Sequence, residues 1–359
     1  MNTSYDFIII GAGIAGMSLA YSLSTSDSTF LIIHSPKKPS ASSIASGLIN
    51  PIAGKRLETV ADYDELYKIS SAFYSQIAQL HRKENYFESK EILRIFRNEK
   101  EKETFHKKYQ QDHSSIYVGP SFEQAASLDI NGVKTPFGGF ITKNAAVFSY
   151  QKFLQDAHDN FKANMVEALV DYSTIQHNPE SCTIHIHEYT ISCKHLVFCD
   201  GWHSSYNSLF SNIAFEPAKG EICLIKAPDL QQDYVISNSF AIIPKGNQLF
   251  SCSATFAWND YSASPTEIGK TELISRIDEL LSCSWHMIDH KAGIRPTMFD
   301  RKAIIGFHPE FNNIAVFGGL GTKGALWAPK LADLTKSLLL GEKPYIPHDI
   351  SVSRWWLNT

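Results

Sequence analysis

The chain has 359 residues, 43% hydrophobic and 19% charged, which supplies apolar material for more than one core and excludes wholesale disorder. Its 33 Lys and Arg against 37 Asp and Glu leave a formal charge of −4, which argues against a protein that coats nucleic acid and leaves only a local basic patch open. The Cys residues, at 182, 193, 199, 223, 252 and 283, show neither a C-x-x-C pair nor metal-ligand spacing. They read as reduced, mostly buried residues of a cytoplasmic protein without a metal site. Residues 7–23 superficially resemble a signal peptide or a short membrane span. A cationic lead is missing and glycines interrupt the run, so a soluble chain with no membrane span is expected.

In chain order, residues 5–10 (YDFIII) form a β-branched apolar run suited to a buried strand. GAGIAG at 11–16 is a glycine turn, MSLAYSLS has helical spacing, and 30–33 (FLII) is a second buried strand. Together they read as one βαβ unit with a right-handed crossover. Residues 35–46, rich in Ser, Pro and Lys, predict a loop, and 61–83 a long helix with Leu66, Ile69, Phe73 and Ile77 on one side. Residues 92–96 predict a strand, and the mixed-sign run FRNEKEKETFHKKYQQ a solvated helix. A helix over 148–157 and strands over 182–187 and 196–199 follow. Strands over 222–225 and 248–255 predict a second, more antiparallel sheet. A helix over 270–281, a strand over 314–317 and a helix over 325–340 complete an α/β pattern with a β-rich second region.

A G-x-G-x-x-G motif alone is weak, but here it follows a buried strand and opens a helix, the context that dinucleotide binding requires. Gly11 permits the tight turn, Gly13 lets backbone approach a pyrophosphate, and Gly16 allows close helix–strand packing. The helix N-terminus, with Ile14 and Ala15, offers free N–H groups to phosphate. Where an Asp or Glu would take ribose hydroxyls stands His34, 18 residues after Gly16. A neutral imidazole can bond a ribose hydroxyl, whereas His34 with Lys37 and Lys38 could favour a 2′-phosphate. Position 34 alone therefore leaves FAD and NAD(P) open.

Several separated stretches decide between them. Besides the fingerprint at 7–34, these are SSIASGLINP at 42–51, HLVFCDGWHSS at 195–205, PAKGEICLI at 217–225, GIRPTMFDRKAIIG at 293–306 and FGGLGTKGALWAPKLADL at 317–334. In that order they resemble the flavin-dependent amine oxidoreductases of the D-amino acid oxidase, glycine oxidase and sarcosine oxidase type. The resemblance implies a Rossmann-like FAD-binding domain with a second, mainly antiparallel β-sheet substrate domain. It implies a discontinuous division: 1–84, 140–208 and 293–345 for the cofactor, 85–139 and 209–292 for the substrate, and 346–359 as a tail.

The resemblance further implies that Gly11, Gly13, Ile14, Ala15, Gly16, His34, Ser35, Val170 and Gly201 hold FAD. Ser46, Gly47 and Leu48 would wrap its ring, and Gly319, Leu320, Gly321, Thr322, Lys323 and Gly324 would close over it. The helix after that loop would direct its N-terminus at the ring's pyrimidine edge, with Pro329 near its first turns. Arg295 would grip a substrate carboxylate with its forked guanidinium, against the alternative of a structural ion pair with Asp300. The expected reaction is oxidation of the C–N bond of a small amine or amino acid by hydride transfer to flavin N5, giving an imine that hydrolyses. Oxygen or another acceptor would take the electrons, and nucleic acid is not an expected partner.

The chain departs from the family at His34 and at Asp200, which replaces a small residue. No Cys follows Cys283, so FAD is expected to be non-covalent. The loop GLGTKG also resembles the flavin domain of the enzyme that modifies wobble uridine in tRNA, which makes oxidation of an aminomethyl side chain on that base one alternative. A non-catalytic flavin-fold binding module is another. Weaker site candidates are Lys55 and Arg56 near the ring, the pair His185 and His187, the pair His286 and His290, and Phe256, Trp258 and Tyr261 along a substrate pocket.

Overall fold

Residues 7–10 (FIII) of strand Ser4–Ile10 are continuously apolar because both faces are covered there. Phe7 and Ile9 pack among helices on one side, and Ile8 and Ile10 pack under a separate apolar layer on the other. The computed structural model describes residues 3–36, 40–54, 56–109, 116–124, 130–258 and 260–356. In the first of its two large sheets, Met165–Glu167, Phe30–His34, Ser4–Ile10, Tyr189–Phe198 and Ile314–Gly318 run parallel in that spatial order. Ile304–Phe307 adds an antiparallel edge, and Cys182–Ile186 forms a hairpin with the first half of Tyr189–Phe198. Helices Ile14–Leu23, Tyr63–Leu80, Tyr150–Phe161 and Gly324–Leu339 cover one face, each contributing to a shared core.

The second sheet is antiparallel at every pairing except Val235–Ser237 with Ile92–Ile95. Its order runs His286–Arg295, Ala218–Lys226, Leu249–Ser253, Ala241–Pro244, Val235–Ser237, Ile92–Ile95, Gly139–Thr142 and Val118–Phe122. The chain thus leaves the first sheet and returns to it twice. Gly139–Thr142 belongs to the second sheet, which therefore reaches past residue 139, and Arg295 is the last residue of its strand.

Some local expectations are corrected. Residues 41–44, read as loop, form the one-turn helix Ala41–Ile44, started by Ser40 Oγ accepting the Ser42 N–H at 3.1 Å. Helix Glu99–Tyr109 is not solvated all round: Glu101, Phe105 and Tyr109 are buried. His185 and His187 do not share a strand face, because His187 takes φ 53° in the hairpin turn. Lys37, Lys38 and Lys55 lie outside the described residues. Among the described residues no helix is long and apolar enough to cross a membrane.

His308 supplies a pH-dependent term in stability. It is 4% exposed; its Nε2 lies 2.8 Å from the Leu209 carbonyl and its Nδ1 accepts the Glu310 N–H at 3.1 Å. Both nitrogens are therefore used by the neutral ring, and burial holds its pKa below the usual value of 6.5. An unfolded chain binds a proton here that the folded chain refuses, so stability falls as pH drops below about 6.5. Urea unfolding of His308→Gln between pH 7 and 5 is expected to show a shallower loss than the parent protein.

Candidate active site

A cavity of about 1010 Å³ lies between the two sheets, at the top of the roughly 300–1,000 Å³ span usual for ligand pockets. At its first-sheet end Gly11 turns the chain with φ 110°, where an added Cβ would stand 2.5 Å from the Cys199 carbonyl oxygen. Gly13 then starts helix Ile14–Leu23 without a side-chain cap, and Gly13, Ile14 and Ala15 face the cavity. The Ile14 N–H donates to Ser42 Oγ at 3.1 Å. That helix end presents polar N–H groups and the positive end of its dipole to the space. Gly16, grouped on sequence with the cofactor contacts, does not line the cavity. Its missing Cβ would fall 1.9 Å from the Gly11 carbonyl oxygen, so its role is helix–strand packing.

His34 and Ser35 line the cavity at the end of strand Phe30–His34. The His34 ring meets that of His158 edge-on, with centroids 5.2 Å apart. Burial first, and the neighbouring His158 second, push the His34 pKa down, while Glu167 opposes them. Glu167 is paired in register with His34 on the adjacent strand and also faces the cavity. A carboxylate therefore stands beside the position where sequence reading found none. Val170, Asp200 and Gly201 line the same end, and Asp200 accepts hydrogen bonds from Tyr172 and Ser204.

Ser46, Gly47 and Leu48 bridge the two halves of the wall. Ser253 Oγ, on the second sheet, donates to Ser46 Oγ at 2.8 Å, and Lys245 Nζ donates to the Ser46 carbonyl at 2.9 Å. From the other end of the chain, Gly319, Leu320, Gly321, Thr322, Lys323 and Gly324 close the cavity. The Gly321 N–H donates to the Pro296 carbonyl at 3.2 Å, which sets this loop beside Arg295. Helix Gly324–Leu339 begins there, and its Ala325 N–H donates to the Tyr150 hydroxyl at 2.8 Å.

Arg295 faces the cavity without a carboxylate partner among the described residues. Its guanidinium donates to the Lys219 carbonyl at 3.2 Å and the Thr255 carbonyl at 3.1 Å, and lies 4.0 Å from the centre of the Phe256 ring. Burial lowers its pKa to about 10, so it stays cationic at neutral pH. The ion pair with Asp300 is not formed, because Asp300 turns to Arg354 instead, at 2.8 Å. Of the three aromatics proposed for a substrate pocket, Phe256 lines the cavity, whereas Trp258 packs against Arg301 and Tyr261 stacks on Trp202. Arg56 is exposed beside Glu58. His290 sits 2.8 Å from Glu221 and, like His286, lies outside the cavity wall.

Comparison with known proteins places this geometry. Residues 6–338 match the family described as FAD dependent oxidoreductase, and the chain belongs to that family. The glycine oxidase of Bacillus subtilis is 28% identical over 155 residues, a stretch that spans only 42% of each chain. The bifunctional protein of tRNA 5-methylaminomethyl-2-thiouridine biosynthesis from Marinobacter nauticus is 28% identical over 135 residues, 34% of this chain and 21% of its own length. The crystal structure of glycine oxidase from Geobacillus kaustophilus superposes with a TM-score of 0.83 at 18% identity, covering 98% of this chain and 99% of the other. The cavity suits the family's cofactor: an added Cβ at Gly201, Gly318 or Gly321 would meet no protein atom within 4 Å, and all three face the cavity.

Tyr150→Phe removes the hydroxyl that accepts the Ala325 N–H at a buried helix start. The orphaned donor should cost about 1–3 kcal/mol of stability, measured as a lower urea midpoint with unchanged m-value.

Proposed function

We propose that the protein binds FAD non-covalently and oxidises the C–N bond of a small amine or amino acid that carries a carboxylate. The observation that carries this reading is Arg295, a cavity-facing guanidinium held by carbonyls and an aromatic ring, with its charge left for a ligand. The first helix turn at Gly13, Ile14 and Ala15 would take the pyrophosphate, and His34, Ser35 and Val170 the adenosine half. Ser46 to Leu48 and the 319–324 loop would flank the ring. The two-domain division read from the sequence is part of the same proposal.

Bound FAD supplies the hydride-accepting chemistry, and the chain supplies position and electrostatics. Arg295 would fix the substrate carboxylate at two points, with Phe256 beneath the guanidinium. The described cavity residues of the second sheet include no Asp, Glu or His. The substrate would therefore lose its ammonium proton to water, not to a side chain of that wall, and react as the neutral amine. Water would hydrolyse the imine product, and oxygen or another acceptor would complete the cycle. The unpaired cysteines accord with a cytoplasmic setting.

A second reading, oxidation of an aminomethyl side chain on a tRNA wobble uridine, draws on the Marinobacter match and on the exposed Phe256, Trp258 and Tyr261. Retention on tRNA at low salt tests it. Bound flavin that no amine reduces anaerobically would point instead to a non-catalytic module.

Arg295→Lys keeps the charge and loses the planar grip. A charge-assisted bidentate contact is worth on the order of 2–4 kcal/mol, so kcat/KM on acidic substrates should fall roughly 30- to 1,000-fold. Decarboxylated amines should be far less affected, and flavin content should hold. Equal loss on both substrate types would make Arg295 structural.

The two glycines of the turn separate in a second measurement. Gly16→Ala should destabilise the fold, because its Cβ would meet backbone at 1.9 Å. Gly13→Ala, whose Cβ would meet Ser42 Oγ at 3.3 Å, should keep its thermal midpoint without cofactor yet bind FAD more weakly in fluorescence titration.

A further inference from the structure

The second-sheet wall of the cavity is one row of directly paired residues: Arg94, Ser237, Ala241, Ser253 and Ile222. Four inter-strand steps separate its ends, roughly 19 Å at about 4.8 Å each. Gly220, on the same face as Ile222, lies against the Arg295 guanidinium, where an added Cβ would come within 2.1 Å of it. Arg295 and Arg94 thus stand at opposite ends of one wall.

Arg94 is 7% exposed, yet its Nε has no partner. Its NH2 group donates to Glu101 Oε1 at 2.7 Å, and Arg97 donates to Glu101 Oε2 at 2.9 Å from both its Nε and its backbone N–H. One buried carboxylate therefore serves two guanidiniums, and one positive charge is left over in the wall. A bare, buried Arg donor costs about 1–3 kcal/mol or more. The carboxylates among the described lining residues, Glu167 and Asp200, both belong to the first-sheet end and cannot serve.

We propose that Arg94 and Arg97 form a second anion subsite, which takes the distal acidic group of an amine substrate whose near carboxylate sits on Arg295. The substrate class is an N-substituted amino acid whose substituent ends in a carboxylate. This rests on the amine-oxidation reading above and narrows it.

The test uses the FAD-loaded protein and unreactive thioethers, in which sulfur replaces the amine nitrogen. S-substituted thioglycolates of increasing chain length, ending in a carboxylate or in the matching carboxamide, are titrated against the flavin absorbance spectrum. At one optimal length the carboxylate is expected to bind about 10- to 100-fold tighter than the carboxamide. Arg97→Gln, chosen because Arg94 is too buried to remove safely, should reduce that ratio to near one, and Arg97→Lys should restore part of it. Equal affinity of the two endings at every length, or a preference that Arg97→Gln leaves intact, overturns the subsite. The short mono-acid methylthioacetate separates the two levels. If it perturbs the flavin while the acid tip adds nothing, only the second subsite falls. If it does not bind at all, the Arg295 reading falls and takes the subsite with it.

Discussion

Burying a guanidinium away from any carboxylate is costly unless other electron density replaces the lost water. Arg295 meets that condition with two backbone carbonyls and the face of Phe256. Both carbonyl partners are themselves fixed. Thr255 exchanges hydrogen bonds with Glu221, giving its backbone N–H to the Glu221 carbonyl and taking the Glu221 N–H on its hydroxyl. Glu221 also accepts from the backbone and hydroxyl of Thr266. Lys219, whose carbonyl holds Arg295, is buried and anchored to Asp260 and Ser262. A polar network with charged members behind the wall therefore sets the position of one cation in front of it. The hydrogen bonds to carbonyls use two of that cation's five N–H donors.

The cavity exists because the chain passes between two sheets that neither end of it could build alone. The glycine turn near the N-terminus and the 319–324 loop near the C-terminus meet across the same space. Helix Gly324–Leu339 holds them together by packing in one core with helices Ile14–Leu23 and Tyr63–Leu80. Ser70 Oγ donates to the Leu326 carbonyl at 2.7 Å in the interior of that contact. The Ser46–Ser253 bond then fastens the 46–48 segment to the second sheet in the cavity wall. Closing the site is thus part of closing the core.

Local and periodic features were legible in the sequence. The strand, glycine turn and helix at the N-terminus follow from spacing alone, and the apolar strands of the first sheet declare their double burial by lacking alternation. Features created by register were not legible. Arg94 reads as one polar residue in a short strand, and only the pairing with Ser237 puts it in the cavity row. Glu167 reaches His34 through a strand pairing that no local pattern announces. Proximity in sequence misled at Asp300, since the strand ends at Arg295 and the turn after it delivers the carboxylate to Arg354. It misled again at His187, because a hairpin turn absorbed the residue.

The division of charge along the cavity follows from these placements. At the first-sheet end stand Glu167 and Asp200 with the imidazoles of His34 and His158, groups suited to hydroxyls and to the edges of a base. A phosphate set among those carboxylates would be repelled, so on the proposed reading it would lie at the helix N-terminus by Gly13 and Ile14. At the second-sheet end the charged side chains are guanidiniums, Arg94 and Arg97 at one side and Arg295 at the other, with Ser237 and Ser253 between. Water-excluding walls make such unbalanced charge strongly selective, because an uncharged ligand would leave it unsatisfied. On the proposed reading the wall favours anionic ligands over neutral ones, and that preference is set by strand register before any contact with a reacting bond.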